Sequence, residues 1–388
     1  MTAARHEVEA LGRLAGDAAD RFATTPAQAL HAAVAGRVFG ALGPGAAPVR
    51  ALHDQVAATA YASVRSGLRG AARLAAGAAA RRRRGEPQAV SRSARGAAVQ
   101  AVANGLVGHE LARDGDPLAI PLGFWQDGAS IEPTRDGLAR ALPDATPRLA
   151  VFVHGLFETE RAWRFGGAEP YSALLRDAAG WTPLHVRYNT GLPTADNGRA
   201  LNALLAATAA AWPSGRLDRI ALVGPSMGGL VARCAARTGR DAREPWADRL
   251  SHLACLGSPH RGSPVEQGVH GAARLLSLVP ETAAFAGVLE HRSAGIRELR
   301  RGIEAGPLIE GVQHLFVAAT VTADPQHPVG LVLGDLLVRP GSAGGPDGCE
   351  IDVRDVAAVG GLHHFRLLND PAVAARLQDF LGREPTGI

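Results

Sequence analysis

Ser226 stands between glycines in Gly224-Pro225-Ser226-Met227-Gly228. An apolar run, Ile220 to Val223, precedes it and reads as a buried strand. A second apolar pattern at helical spacing, Met227, Leu230, Val231 and Cys234, follows it. A serine on a sharp strand-to-helix turn is lifted clear of the sheet, and the new helix aims its first N–H groups at the same point. Small residues on both sides allow so tight a turn. The pattern suits a nucleophile with half of an oxyanion hole, although a loop serine that merely needs small neighbours in a chain with 47 Gly would look similar.

A serine hydroxyl is a poor nucleophile at neutral pH. It needs a base to take its proton, a carboxylate to orient that base, and donors for the developing oxyanion. The second donor is expected at Leu149-Ala150-Val151-Phe152-Val153-His154-Gly155-Leu156-Phe157, a strand ending in His-Gly. There the Leu156 N–H would face the substrate oxygen beside the Met227 N–H, leaving His154 a structural role. A serine on this kind of turn has its acid and then its histidine later in the chain. His314 falls within a predicted strand, and His260 follows a strand end. His364, in a late loop after Gly360-Gly361, is the favoured base, with His363 as its competitor. Asp335 and Asp324 each fit a strand end, and position alone does not separate them.

These residues need a scaffold. From Asp116-Pro117 onward strands and helices alternate, which predicts a mostly parallel sheet with helices on both faces. Strands are expected at Leu118–Trp125, Arg148–Val153, Thr182–Tyr188, Arg219–Val223, His252–Leu256, Val312–Ala318 and Leu331–Leu333. Helices are expected at Ala168–Ala179, Asn197–Trp212, Met227–Thr238 and Pro371–Leu381. Residues 263–307 interrupt the alternation with helical periodicity and read as an insertion, either a lid or a fixed element. Residues 1–115 are rich in Ala, Gly and Arg and read as a helical extension with helices near 4–20, 26–41, 48–84 and 89–112.

Charge separates the two regions. Residues 1–100 carry 14 Arg against 6 acids, whereas the rest carries 27 Arg against 31 acids. Any anionic partner belongs with the N-terminal quarter. The span 48–84, with Leu52, Val56, Ala60, Val64 and Leu68 in register and Arg81 to Arg84 at its end, fits peripheral contact with an anionic membrane. A helical cap on the main domain is favoured, because Ala buries little area. Few aromatic residues accompany the arginines, which argues against nucleic-acid binding. Cys234, Cys255 and Cys349 show no metal or disulfide spacing, and no metal or cofactor is expected. With charges in the first ten residues and no apolar run of about 20, a cytoplasmic location is expected.

Five motifs in order form a joint signal: Val153-His154-Gly155-Leu156, Gly224 to Gly229, Gly257-Ser258-Pro259-His260-Arg261-Gly262-Ser263, Gly334-Asp335-Leu336-Leu337-Val338 and His364-Phe365-Arg366-Leu367-Leu368. Together they resemble the α/β-hydrolase lipases and esterases, nearest to the branch of GPI inositol-deacylase and bacterial triacylglycerol lipases. The resemblance covers about residues 117–385. It implies an α/β-hydrolase domain over 116–388, Ser226 as nucleophile, Asp335 as acid, His364 as base, and Leu156 and Met227 as oxyanion donors. Leu336 stands where the family often has Gly, and Asp324 is the reserve acid. The implied activity is hydrolysis of carboxylic esters of lipids or other acyl groups. Acyl transfer or thioester hydrolysis on the same fold, and a binding protein on a hydrolase scaffold, are the alternatives.

Overall fold

A computed structural model of the chain describes residues 3–25, 28–29, 31–32, 35–36, 39, 47–82, 90–167, 169–261, 293–299, 308–328, 331, 335, 337–344 and 356–383. The chain forms two compact units: the first on residues 1–93 and 115–118, the second on 94–114 and 119 onward, as far as they are described.

In the first unit, α1 (Ala3–Ala19) packs on α2 (Ala47–Arg82). Arg69 bonds Asp17 at 3.0 Å and Asp20 at 3.1 Å. Val64 and Leu68 of α2 are exposed, so these two apolar positions of the predicted stripe stay on the surface. Residues 26–41, expected to be helical, fall partly outside the described residues, as do Arg83 and Arg84.

The second unit begins with α3 (Ala94–Arg113), a helix whose composition matches the extension but which belongs to the sheet-bearing unit. An eight-stranded sheet follows: β1 (Gly123–Gln126), β2 (Ala129–Ile131), β3 (Arg148–Val153), β4 (Thr182–Arg187), β5 (Arg219–Pro225), β6 (Leu250–Leu256), β7 (Gln313–Thr320) and β8 (Val356–Gly360). Its order is β2-β1-β4-β3-β5-β6-β7-β8. From β4 to β8 every pairing is parallel, while β1 and β2 form an antiparallel hairpin on the β4 edge.

The central strands are buried on both faces, as continuous apolar runs in a parallel sheet must be. Leu149, Val151, Val153, Ile220 and Leu222 face one core, shared with Leu201 and Leu205 of α6 (Thr194–Ala210) and Leu230 of α7 (Met227–Asp241). α4 (Arg135–Ala141) supplies Leu138 to that core. Ala150, Phe152, Ala221 and Val223 face the other, with Tyr171 and Leu175 of α5 (Tyr171–Ala179) and Leu377 and Phe380 of α10 (Pro371–Gly382). This period-two split places a helix layer on each face. α10 starts at Asp370, whose side chain caps the Ala372 N–H at 2.9 Å, followed by Pro at the first position.

One expectation changes. The strand beside β7 is Val356–Gly360, not Leu331–Leu333. The Leu331 N–H donates to the His327 carbonyl at 3.0 Å in a helical turn, and Val332 and Leu333 lie outside the described residues. Most of the predicted insertion 263–307 also lies outside them, apart from Ser293–Leu299, where α8 (Ala294–Leu299) sits. α9 spans Pro340–Ala343.

Candidate active site

Parallel strands end on one edge of a sheet, so the segments that leave β3, β5, β6, β7 and β8 emerge together. Ser226 leaves β5 with φ 48° and ψ −125°, a strained conformation for a residue with a Cβ. Its N–H is tied to the Leu256 carbonyl at 2.9 Å. The flanking glycines are required by close approach. A Cβ on Gly224 would lie 2.4 Å from the Gly229 nitrogen, and one on Gly228 would lie 2.2 Å from the Val153 carbonyl oxygen. β3, β5 and α7 are thus pressed together where the chain turns, and the Met227 N–H opens the helix without an intrahelical acceptor.

Asp335 and His364 meet although 29 residues separate them. Nδ1 of His364 lies 2.7 Å from Oδ2 of Asp335. A carboxylate only accepts, so Nδ1 carries the proton and Nε2 is left as the acceptor. The other oxygen of Asp335 accepts from the Leu337 N–H at 3.0 Å and the Val338 N–H at 2.8 Å. The His364 N–H returns to the Asp335 carbonyl at 3.0 Å. Both side chains are buried and sit against Gly257: a Cβ there would lie 3.2 Å from Asp335 Oδ2 and 3.4 Å from His364 Cε1. Gly257 directly follows Leu256, the residue that holds the Ser226 N–H. The competing residues are elsewhere. His363 is exposed, and Asp324 is exposed with its carboxylate accepting from the Gln326 N–H at 2.9 Å.

Leu156 follows Gly155 in the loop after β3. Its N–H has no acceptor among the described residues, whereas the neighbouring amides do. Gly155 N–H donates to Glu158 Oε2 at 2.8 Å, and Phe157 N–H reaches Thr190 Oγ1 at 3.5 Å. A Cβ on Gly155 would lie 3.5 Å from the Cβ of Ser226, so this loop adjoins the serine. His154 is fully buried. Its Nδ1–H donates to the Gly155 carbonyl at 2.9 Å and its Nε2 accepts from the Tyr188 N–H at 3.3 Å. Burial pushes it down to about 4, so it is neutral and serves the loop's structure.

The loop is backed by α3. A Cβ on Gly105 would lie 2.1 Å from the Phe157 ring, and one on Gly108 would lie 2.0 Å from Oδ1 of Asn189. Phe157 itself has φ 64°. From the other side, a Cβ on Gly295 of α8 would lie 3.1 Å from the Met227 side chain, and Glu298 accepts the Thr194 N–H at 2.6 Å. His260 and His314 are buried and bond other groups. His260 Nδ1 lies 3.1 Å from Arg233, and His314 Nε2 accepts the Ile309 N–H at 3.2 Å. Sequence reasoning passed over Glu158, Thr190 and Tyr188. A carboxylate three residues after Gly155 was the one available signal. Among the described residues no group of His, Cys, Asp or Glu could hold a metal ion.

The strand order, the parallel run from β4 to β8 and the strained serine between β5 and α7 are those of the α/β-hydrolase fold. No family model and no curated protein matches the chain. Among solved structures the chain is similar to the mature lipase BlEst2 of Bacillus licheniformis, at 18% identity over 61% of this chain and 93% of that one, TM-score 0.39. It is also similar to the carboxylesterase CesB of Bacillus subtilis, at 15% identity over 61% and 84% of the two chains, TM-score 0.33. An esterase of Pyrobaculum calidifontis aligns at 15% identity over 61% and 76%, TM-score 0.38. These are likenesses of fold, and what those proteins act on is a property of those proteins.

Proposed function

We propose that the protein is a serine hydrolase of carboxylic esters. The observation that carries this is the buried His364–Asp335 bond of 2.7 Å on the same sheet edge as the strained Ser226. In this reading Ser226 Oγ attacks the acyl carbon and its proton passes to Nε2 of His364. Asp335 holds the imidazole and stabilises the imidazolium. The Leu156 and Met227 N–H groups hold the oxyanion. The C–O bond to the alcohol breaks as His364 returns the proton to the leaving oxygen. Water then repeats the sequence on the acyl enzyme and releases the acid.

Apolar acyl esters are the favoured substrates. Phe157 follows the donor Leu156, Phe365 follows the base His364, and both rings are exposed. The lean toward lipid esters comes from the apolar sequence of the predicted insertion 263–307, and kinship with the GPI inositol-deacylase and bacterial triacylglycerol lipase branch rests on the motifs of the sequence. Among the described residues no helix is long and apolar enough to cross a membrane. Reaction with a fluorophosphonate tests the proposal. Wild type should be labelled on Ser226, and Ser226→Ala and His364→Ala should not be. A folded wild type that stays unlabelled and hydrolyses no ester would sink it.

A further inference from the structure

The peptide planes on either side of Gly155 decide where the Leu156 N–H points. Glycine has no Cβ, so its own φ/ψ preferences hold neither plane. Hydrogen bonds do so instead. In the first plane the His154 carbonyl accepts the Tyr188 hydroxyl at 2.8 Å, and the Gly155 N–H donates to Glu158 Oε2 at 2.8 Å. In the second plane the Gly155 carbonyl accepts from His154 Nδ1–H at 2.9 Å and from the Glu158 N–H at 3.4 Å. A trans peptide sends its N–H opposite to its carbonyl, so pinning the Gly155 carbonyl aims the Leu156 N–H the other way. Glu158 therefore ties down both planes, one through its carboxylate and one through its backbone.

We propose that Glu158 is a positioning residue of the oxyanion loop, its carboxylate capturing the Gly155 N–H so that the Leu156 N–H stays free and aimed at the acyl oxygen. This rests on the ester-hydrolase reading. The side chain reaches the serine's immediate surroundings. One point, an ideal Cβ on Gly155, lies 3.0 Å from Glu158 Oε2 and 3.5 Å from Ser226 Cβ. A charge so placed does not favour an oxyanion, and burial pushes the Glu158 carboxyl up, opposed by the Gly155 N–H and His364. Among the described residues, Tyr188 from the end of β4 and His364 from the loop after β8 are titratable groups that act on it. What the loop requires at 158 is thus an acceptor oxygen rather than a charge. Without it the Gly155 N–H must find another partner, and rotation toward one turns the donor away from the reaction.

Glu158→Gln and Glu158→Ala separate the acceptor from the charge. Both are compared with wild type by kcat and KM on p-nitrophenyl butyrate, normalised to fluorophosphonate-reactive sites, with melting temperatures alongside. Glu158→Gln keeps an oxygen at the same reach and should hold kcat within about threefold of wild type. Glu158→Ala should lose about 10²-fold in kcat, the scale of one oxyanion donor, with KM changed by less than about threefold. A merely structural residue would lower the melting temperature and the count of reactive sites without this kcat-only loss and its rescue by Gln. Glu158→Ala within about threefold of wild type per reactive site, or equal losses in the two variants, would overturn the assignment while the hydrolase reading stands. A wild type that is neither labelled nor active would overturn both.

Discussion

Asp335→Asn is the substitution whose consequence the geometry specifies most closely. Three N–H donors converge on two carboxylate oxygens: His364 Nδ1–H on Oδ2, and Leu337 and Val338 N–H on Oδ1. An amide of the same shape offers one oxygen and one NH2. If the NH2 replaced Oδ1 it would face two backbone donors inside a buried turn, at about 1–3 kcal/mol for each unmet group. The amide oxygen therefore stays with Leu337 and Val338, and the NH2 faces Nδ1. The imidazole meets a donor there, which favours moving its own proton to Nε2. Nε2 is then no longer free to accept from Ser226. A wrong tautomer of this kind costs about 10⁴ in kcat, or about 5.5 kcal/mol of barrier. The measurement is kcat on p-nitrophenyl butyrate beside the rate of fluorophosphonate labelling, with circular dichroism to verify folding. The exposed Asp324 provides the contrast, and Asp324→Asn should stay within about twofold of wild type. A folded Asp335→Asn protein within about tenfold of wild type would refute this reasoning, above all if Asp324→Asn lost activity instead.

Gly228→Ala would set a Cβ 2.2 Å from the Val153 carbonyl oxygen and 2.5 Å from that of His154, so it should cost about 2 kcal/mol or more of stability and abolish labelling of Ser226. Unchanged urea midpoint and labelling would contradict the close-approach account. Buried His154, His252 and His314 and the half-buried His185 are pushed down to about 4, and buried His260 to about 3, from an ordinary 6.5. The unfolded chain takes up these protons first as pH falls, so their stability is fully present above about pH 6.5 and is lost toward pH 4, or toward pH 3 for His260, on the order of 3 kcal/mol for each of the first four and about 5 for His260. Urea unfolding at pH 7.5 and pH 5 should show a drop of several kcal/mol, and equal stabilities would exclude neutral buried histidines. Arg187 forms a two-pronged bond to Glu160 at 2.6 Å on each prong, both residues buried, and lies over the Trp125 ring. Arg187→Met should cost about 3–5 kcal/mol, and adding Glu160→Leu should restore much of it. An undiminished melting temperature in the single variant would show the pair to be dispensable.

The features that proved legible are those a short stretch of chain builds alone. Gly224 to Gly229 places a strand end, a tight turn and a helix start within a few residues, so residue size and apolar period suffice to recognise it. Strand Arg148–Val153 has the bounds its sequence predicts, because a run that is apolar on both faces has only a parallel-sheet interior to occupy. Val356–Gly360 was missed for the opposite reason. Its Ala-Ala centre and partial burial carry little pattern, and only pairing with β7 makes it a strand. The bonding partner of His364 could not be read from position. Asp324 and Asp335 are equivalent along the chain, and the choice rests on a turn that returns Asp335 to a loop 29 residues away. The helix Ala94–Arg113 shows the same limit. Its composition is that of the residues before it, but Gly105 and Gly108 belong against Phe157 and Asn189. Sequence alone determined the serine turn, the alternation of strands and helices and the set of candidate residues, because backbone preference and apolar period act over a few neighbours. Tertiary structure alone decided which carboxylate meets His364, which amide beside Ser226 has no acceptor among the described residues and which unit owns the helix behind it. Each of those depends on distances between segments far apart in the chain, and no local preference encodes them.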